Sequence, residues 1–359
     1  MVTLAIVPRA NLVTSSATYA EPVTAHRLVD RYGRVGTDLR VSVTDRCNLR
    51  CTYCMPADGP GWLASDHLLT DDELVRLITI AVTQLGVTSI RFTGGEPLLR
   101  PGLPEIISVT AQLPNRPHIA MTTNGIGLDR LAEPLHHAGL DRLNISLDTL
   151  DPQTFAQLAR RDRLDDALAG IDAAIATGLQ PIKLNSVLMR GINDHEAPKL
   201  LQFALNRGLQ LRFIEQMPLD PMGTWKRDQM VTADEILDQL QQHWRLTPVT
   251  RTHRTAPADE WLVDNGPDTV GVIASITRPF CGDCDRVRLT ADGQMRPCLF
   301  GPQETDLRSA LRAGASDAEL ATIWRDGFAN KWSGHESLDG PTFNGPVLIP
   351  LRPMSAIGG

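Results

Sequence analysis

Six strand–helix units between residues 37 and 245, followed by a less regular part, predict an α/β fold in which parallel strands close into most of a barrel. Three observations lead there. Period-two strand patterns alternate with helical patterns, which implies parallel strands joined by right-handed crossovers. The strands carry a polar face where covered parallel strands are usually apolar throughout, so that face should line a cavity. Near residue 245 the alternation gives way to a segment rich in Thr, Arg, Asp and Pro, which marks a change of domain. The expected divisions are an N-terminal arm at 1–36, a partial barrel at 37–245 and a C-terminal domain at 246–359.

The arm shows no sustained period and carries Thr-Ser-Ser and Glu-Pro punctuation, so it is expected to be loosely held. Segment 39–44 alternates, with Leu39, Val41 and Val43 on one face and Arg40, Ser42 and Thr44 on the other, and reads as a strand. A helix follows at 71–85. Thr70 and Glu73 form its capping box, Leu74, Leu77, Ile78, Ala81, Val82 and Leu85 its apolar stripe, and Gly86 ends it. The next strand, 89–93, separates Ile90 and Phe92 from Ser89, Arg91 and Thr93 before the turn Gly94-Gly95-Glu96-Pro97. Further strands read at 118–123, 141–148, 181–189 and 210–217, with helices near 103–112, 128–138, 164–177, 196–207 and 232–242. Past 245, segment 285–290 reads as a strand with Arg286 and Arg288 on one face and Val287 on the other, followed by an Ala-Asp-Gly turn. Helical patterns near 304–313 and 317–328 lead into a Gly/Pro-rich tail, expected to be mobile, that ends at Gly358-Gly359.

The 359 residues carry a net charge of −7, a pI near 5.7 and an apolar fraction of 42%. An acidic chain lacks the basic surface that nucleic acid or anionic membranes need, so neither is expected as a partner. No run approaches the ~20 apolar residues of a membrane-spanning helix, and no leader pattern opens the chain, which makes the cytoplasm the default location. The six cysteines fall into two triplets, Cys47/Cys51/Cys54 and Cys281/Cys284/Cys298. Close spacings in a chain this long argue for two metal centres rather than disulfides.

Cys47, Cys51 and Cys54 stand at C-x3-C-x2-C just after the first strand. Three thiolates on a tetrahedral metal site or a four-iron cluster leave one metal position open, and an open position binds substrate or cofactor. Structural zinc closes with a fourth Cys or His, and the nearest downstream histidine, His67, has the wrong spacing. For the second triplet a zinc knuckle completed by His253 or His335 stays open as an alternative. Arg40, Arg91, Lys183 and Arg212 recur on inward faces, beside Asn144, Ser146, Asp148 and Asn185. Each alone is compatible with exposure or a salt bridge at a strand end. Together they would repel unless an anion neutralises them, and the arginine fork suits phosphate or carboxylate. Neither G-x4-G-K-[ST] nor G-x-G-x2-G occurs, so a nucleotide would be held by the basic lumen instead of a glycine loop.

The C-x3-C-x2-C claw with Tyr53 before its last Cys, followed by Gly-Gly-Glu-Pro, resembles the radical S-adenosylmethionine (SAM) superfamily. Over roughly residues 30–359 the wider set resembles the MoaA family, GTP 3′,8-cyclases of molybdenum-cofactor biosynthesis. That set comprises Ser42-Val-Thr-Asp-Arg-Cys-Asn-Leu-Arg-Cys51, Arg91-x-Thr-Gly-Gly-Glu-Pro-Leu-Leu-Arg100, Thr122-Thr-Asn-Gly125, Asn144-Ile-Ser-Leu-Asp148, Cys281-x2-Cys-x-Arg-x-Arg288 and the terminal Gly-Gly. The resemblance implies an incomplete (β/α)6 radical SAM barrel closed by a C-terminal α+β domain. It implies two [4Fe-4S] clusters, the first on Cys47, Cys51 and Cys54 with SAM on its free iron, the second on Cys281, Cys284 and Cys298 with its free iron offered to guanine. In the family an electron from the first cluster splits SAM, the ribose 3′-hydrogen of GTP is removed, and C3′ joins guanine C8 to give 3′,8-cyclo-7,8-dihydro-GTP.

By the same resemblance Tyr53, Gly95, Ser146 and Met217 match SAM contacts. Arg40, Arg91, Thr122, Lys183, Arg286 and Arg288 match GTP contacts, with Arg286 and Arg288 the candidate catalytic residues. Ser89 stands where a Lys that adds a phosphate contact is expected. The implied partners are GTP, a reductant or electron-transfer protein, the downstream cyclic pyranopterin monophosphate synthase of the pathway, and a second copy in a homodimer. Two other functions compete: a two-cluster radical SAM enzyme acting on a peptide or other small molecule, which typically has more C-terminal cysteines, and a non-catalytic metal-binding scaffold.

Overall fold

The computed structural model describes residues 27–358 apart from 221, 252 and 335–351. Strands β1 (Asp38–Ser42), β2 (Ser89–Thr93), β3 (His118–Thr123), β4 (Arg142–Ser146), β5 (Ile182–Val187) and β6 (Gln210–Ile214) lie side by side in chain order. All five pairings between them are parallel. The chain returns through α1 (Asp71–Gln84), α2 (Leu103–Ala111), α3 (Leu128–His137), the pair α4 (Pro152–Ala159) and α5 (Leu164–Ala176), and α6 (Ala197–Leu205), with α7 (Ala233–Gln241) after the sixth strand. The expected elements are present with ends shifted by no more than three residues.

Local signals explain these elements. Thr70 and Glu73 cap α1 reciprocally, and Leu74, Leu77, Ile78, Ala81 and Val82 are buried as the stripe requires. Thr232 and Glu235 do the same for α7. Helix α4 was not read from the sequence, because its eight residues hold barely two turns; Asp151 accepting from Thr154 N–H and Pro152 in the first turn start it.

The segment expected to be irregular after 245 contains three strands, β7 (Leu246–Val249), β8 (Asp259–Val263) and β9 (Thr269–Ile273). They were hidden because β7 is a half-exposed edge strand with Pro248 inside it, which weakens any apolar pattern. Two antiparallel pairings bring β9 back parallel to β6. Strand β10 (Arg286–Leu289) joins the opposite edge, parallel to β1, and β11 (Gln294–Arg296) and β12 (Thr305–Asp306) follow antiparallel. The C-terminal strands therefore extend both edges of one twelve-stranded sheet. Helices α8 (Leu307–Arg312) and α9 (Asp317–Ala329) pack outside it, with Trp324 and Phe328 fully buried.

Two expectations of looseness are corrected where the chain is described. Residues 27–36 are tied down: Leu28 is fully buried, Val29 bridges Val35, and Asp30 pairs with Arg34 at 2.6 Å. Residues 1–26 of the expected arm lie outside the described residues. At the other end α10 (Met354–Ile357) docks into the molecule, with Ser355 and Ile357 buried; the rest of the expected mobile tail, 335–351 and Gly359, lies outside the described residues. Among the described residues no helix is long and apolar enough to cross a membrane.

Candidate functional site

Inward side chains of β1 to β6 and β10 surround one cavity of about 930 Å³. All six cysteines line it, as do Tyr53, Gly95, Ser146 and Met217, and Arg40, Arg91, Thr122, Lys183, Arg286 and Arg288. Alternation explains the selection. Val41 and Val287 point the other way and are fully buried in the apolar core. Ser89 is in register with Asp38 and also lines the cavity, so the position where a Lys was expected does face the site.

The first cysteine loop rests on glycine backbone. A Cβ on Gly95 would come within 2.2 Å of Arg46 O, and one on Gly94 within 2.4 Å of Thr44 O. Gly95 N–H donates to Thr44 O at 2.8 Å and Glu96 N–H to Arg46 O at 2.7 Å, so the Gly-Gly-Glu turn holds the loop by direct backbone contact. Glu96 is buried and accepts from Thr123 Oγ1 at 2.6 Å, Asn124 N–H at 2.8 Å and Leu98 N–H at 3.1 Å; burial raises its carboxyl to about 7. Asn124 then donates to Asn48 Oδ1 at 2.7 Å, which ties the Thr-Thr-Asn-Gly motif to the loop. Tyr53 donates to Asp148 Oδ2 at 2.6 Å, and burial raises Asp148 to about 6.

Burial pushes the Cys47 thiol up to about 11 and Cys54 to about 12, and raises Cys51 strongly, each of them also repelled by a neighbouring anion. Such thiols ionise only when a metal cation compensates. None is in a disulfide. Among the described residues no three His, Cys, Asp or Glu side chains gather closely enough to hold a single ion; His253 lines the same cavity as the second triplet, and His335 lies outside the described residues. Each triplet, three soft thiols facing a shared cavity, fits an iron–sulfur cluster with one open iron.

The cations converge as expected. Arg40 is in register with Arg91 on one side and Arg288 on the other. The Nε atoms of Arg40, Arg91, Arg142 and Arg286 are buried without a hydrogen-bond partner. Burial, reinforced by neighbouring arginines, lowers Arg40 to about 9, Arg91 to about 10, Arg212 to about 9 and Lys183 to about 8, and Arg288 strongly. The cavity is thus preorganised for a polyanion. Arg212 is aimed by Asn144 Oδ1 at 2.7 Å and Asn185 Oδ1 at 2.8 Å, and Gly271 leaves room for it, since a Cβ there would meet its Cγ at 2.9 Å. Arg286 stacks on Phe280 at 4.7 Å.

Sequence reasoning missed Arg142 and Lys331. Arg142 shares the parity of Asn144 and Ser146 and was legible from that alone. Lys331 had no periodic signal, because it follows the end of α9; it is 2% exposed and donates to Cys284. The tail also reaches the site: Arg288 donates to the Gly358 carbonyl, and Met354 and Ser355 line the cavity.

Comparison with known proteins agrees with this geometry. Residues 41–204 match the Radical SAM superfamily, and residues 209–337 match Molybdenum Cofactor Synthesis C. A "GTP 3′,8-cyclase" of Streptomyces coelicolor is 61% identical over 336 residues, covering 93% of this chain and 97% of the relative. One from Mycolicibacterium smegmatis is 56% identical over 338 residues, covering 92% of each. Among solved structures, Streptococcus suis SuiB bound to precursor peptide SuiA shares the fold at TM-score 0.57 and 14% identity, over 82% of this chain and 66% of that one. Native anSMEcpe with bound AdoMet does so at TM-score 0.55 and 13% identity, over 84% and 82%.

Proposed function

The chain belongs to the GTP 3′,8-cyclase (MoaA) family of radical SAM enzymes, and from that membership we propose that it converts GTP to 3′,8-cyclo-7,8-dihydro-GTP in molybdenum-cofactor biosynthesis. The observation that carries this reading is the set of four buried, partnerless arginine Nε atoms in a cavity flanked by two thiol triplets. When bound, the clusters and SAM supply the one-electron chemistry. Everything else is the work of the chain.

Cys47, Cys51 and Cys54 hold the cluster that receives SAM, and Cys281, Cys284 and Cys298 hold the other. Tyr53, locked on Asp148, and Gly95, Ser146 and Met217 form the SAM side. Arg40, Arg91, Lys183, Arg286 and Arg288 bind the GTP polyanion, Thr122 sits on the same wall, and Arg286 and Arg288 lie nearest the second triplet in sequence. Arg142 and Arg212 extend this set. Their charge would hold the nucleotide in the cavity that both centres line, and the docked tail covers part of that space.

The partial barrel of residues 37–245 thus carries the first centre, and residues 246–359 carry the second. A reductant or electron-transfer protein supplies electrons in the cytoplasm, and cyclic pyranopterin monophosphate synthase consumes the product; a homodimer is the expected assembly. The test is product analysis after anaerobic incubation with GTP, SAM and a reductant. The cyclised nucleotide is expected, and SAM cleavage with unchanged GTP would overturn the assignment.

A further inference from the structure

Lys331 is a lysine with almost no contact with solvent, 2% exposed, just past the end of α9. Its Nζ donates to Arg286 O at 2.7 Å, to Cys284 O at 2.9 Å and to Cys284 Sγ at 3.5 Å. The Phe328 ring lies 5.1 Å from the same nitrogen. An ammonium has three N–H groups, and all three are used. Two backbone carbonyls and a sulfur around one nitrogen match the three donors of an ammonium.

A buried cation needs an anion. Arg34, which clamps the same region by donating to Cys281 O at 2.7 Å and Ser333 O at 2.8 Å, is neutralised by Asp30 at 2.6 Å. Among the described residues Lys331 pairs with no carboxylate. The group at its Nζ that can carry negative charge is the Cys284 sulfur, and a sulfur that ligates iron carries it permanently.

Among the described residues no ammonium or guanidinium donates to a sulfur of the first triplet, although the charge of Arg50 acts on Cys47. Cys47 Sγ receives a backbone N–H from Leu49 at 3.4 Å, while the nearby Arg50 guanidinium is turned to the Cys47 carbonyl at 2.7 Å. Hydrogen bonds and positive charge at ligand sulfurs favour the reduced, more negative form of a cluster. We propose that Lys331 is a positioning residue that raises the reduction potential of the centre held by Cys281, Cys284 and Cys298 above that of the centre held by Cys47, Cys51 and Cys54. This rests on the two-cluster reading given above. The consequence is directional: of the two centres, the one beside the substrate-binding arginines is the easier to reduce.

The experiment is an EPR-monitored redox titration of anaerobically reconstituted full-length protein, comparing the parent with Lys331→Met and Lys331→Arg. In Lys331→Met the ratio of reduced to oxidised second centre at a fixed applied potential falls at least tenfold, ~59 mV for a one-electron couple. Lys331→Arg recovers most of that shift, and the first centre does not move. A second-centre ratio within twofold of the parent in Lys331→Met overturns the proposal. Because the methionine variant can lose its second centre on folding, the parent labelled with 15N-lysine is measured as well. A lysine nitrogen coupled to the reduced second centre in pulsed EPR is expected, and its absence overturns the proposal. Iron and sulfide analysis separates the two levels: zinc at the second triplet sinks the two-cluster reading, whereas intact iron with an unshifted potential sinks only the role of Lys331.

Discussion

At the scale of single residues the two thiol triplets are not equivalent. Burial holds the Cys47, Cys51 and Cys54 thiols up; at Cys284 burial has the same tendency, but Lys331 and Arg286 outweigh it and hold the thiol below its usual value. Replacing Cys47, Cys51 or Cys54 with Ala is expected to abolish reductive SAM cleavage, whereas Cys281→Ala, Cys284→Ala or Cys298→Ala spares part of the cleavage and stops cyclisation. Quantifying 5′-deoxyadenosine and cyclised nucleotide in the same reactions checks this, and equal losses of both would reject the division. Arg91→Ala and Arg286→Ala each remove a charge-assisted contact worth about 1.5–3 kcal/mol, so GTP affinity should fall roughly 10- to 100-fold with little change in SAM affinity. Calorimetric titration of each ligand measures it.

At the scale of elements, the Gly-Gly-Glu turn after β2 and the tail helix α10 are the two pieces whose position the site depends on. The tail is anchored by Arg352, which donates to Asp292 at 2.8 and 3.0 Å and to Glu304 at 3.0 Å. At Gly358 φ is +73° and a Cβ would stand 2.6 Å from Ser42 Oγ and 2.8 Å from Thr93 Cγ2. Both the angle and the space demand glycine there. Gly358→Val, or removal of Gly358 and Gly359, is expected to lower cyclic product by at least tenfold while iron content and SAM binding stay near parent levels. A synthetic peptide of the native last residues should restore part of the loss to the truncated protein. Full product from the truncated protein would dismiss the tail as a working element. Arg352→Ala should produce a milder form of the same defect, seen as a fall in product without a fall in iron.

At the scale of the whole molecule, the cation-lined cavity opposes the stability of the empty fold. The Lys183 pKa is lowered from 10.5 to about 8, so between these values the folded state binds fewer protons than the unfolded one. Its contribution to stability is present above 10.5 and is lost as pH falls through about 8. A bound triphosphate reverses this by favouring the charged forms. GTP at a hundredfold excess over its Kd should therefore stabilise the protein by about 2.7 kcal/mol near neutral pH. The accompanying rise in Tm should shrink as pH passes 8, where Lys183 loses its proton while the guanidinium groups stay charged. Differential scanning fluorimetry across pH 6.5–9.5 reads the trend, and a rise in Tm that grows with pH would contradict it.

Short-range patterns by themselves determined the six parallel strands, the capped α1, the inward side of Arg40, Arg91 and Lys183, and the two triplets, because alternation, capping and Cys spacing are local and survive without knowledge of any neighbour. They also carried Arg142, whose parity went unread. What only the tertiary structure decided depends on residues far apart in the chain. Strands β9 and β10 take opposite edges of one sheet because their partners, β6 and β1, are the unpaired edges of the six-strand core. The tail docks because Asp292 and Glu304, 60 and 48 residues before Arg352, present carboxylates to it. Lys331 had no local pattern to betray it, because its burial comes from β10 and the second cysteine loop folding over the end of α9, a contact that spans about fifty residues.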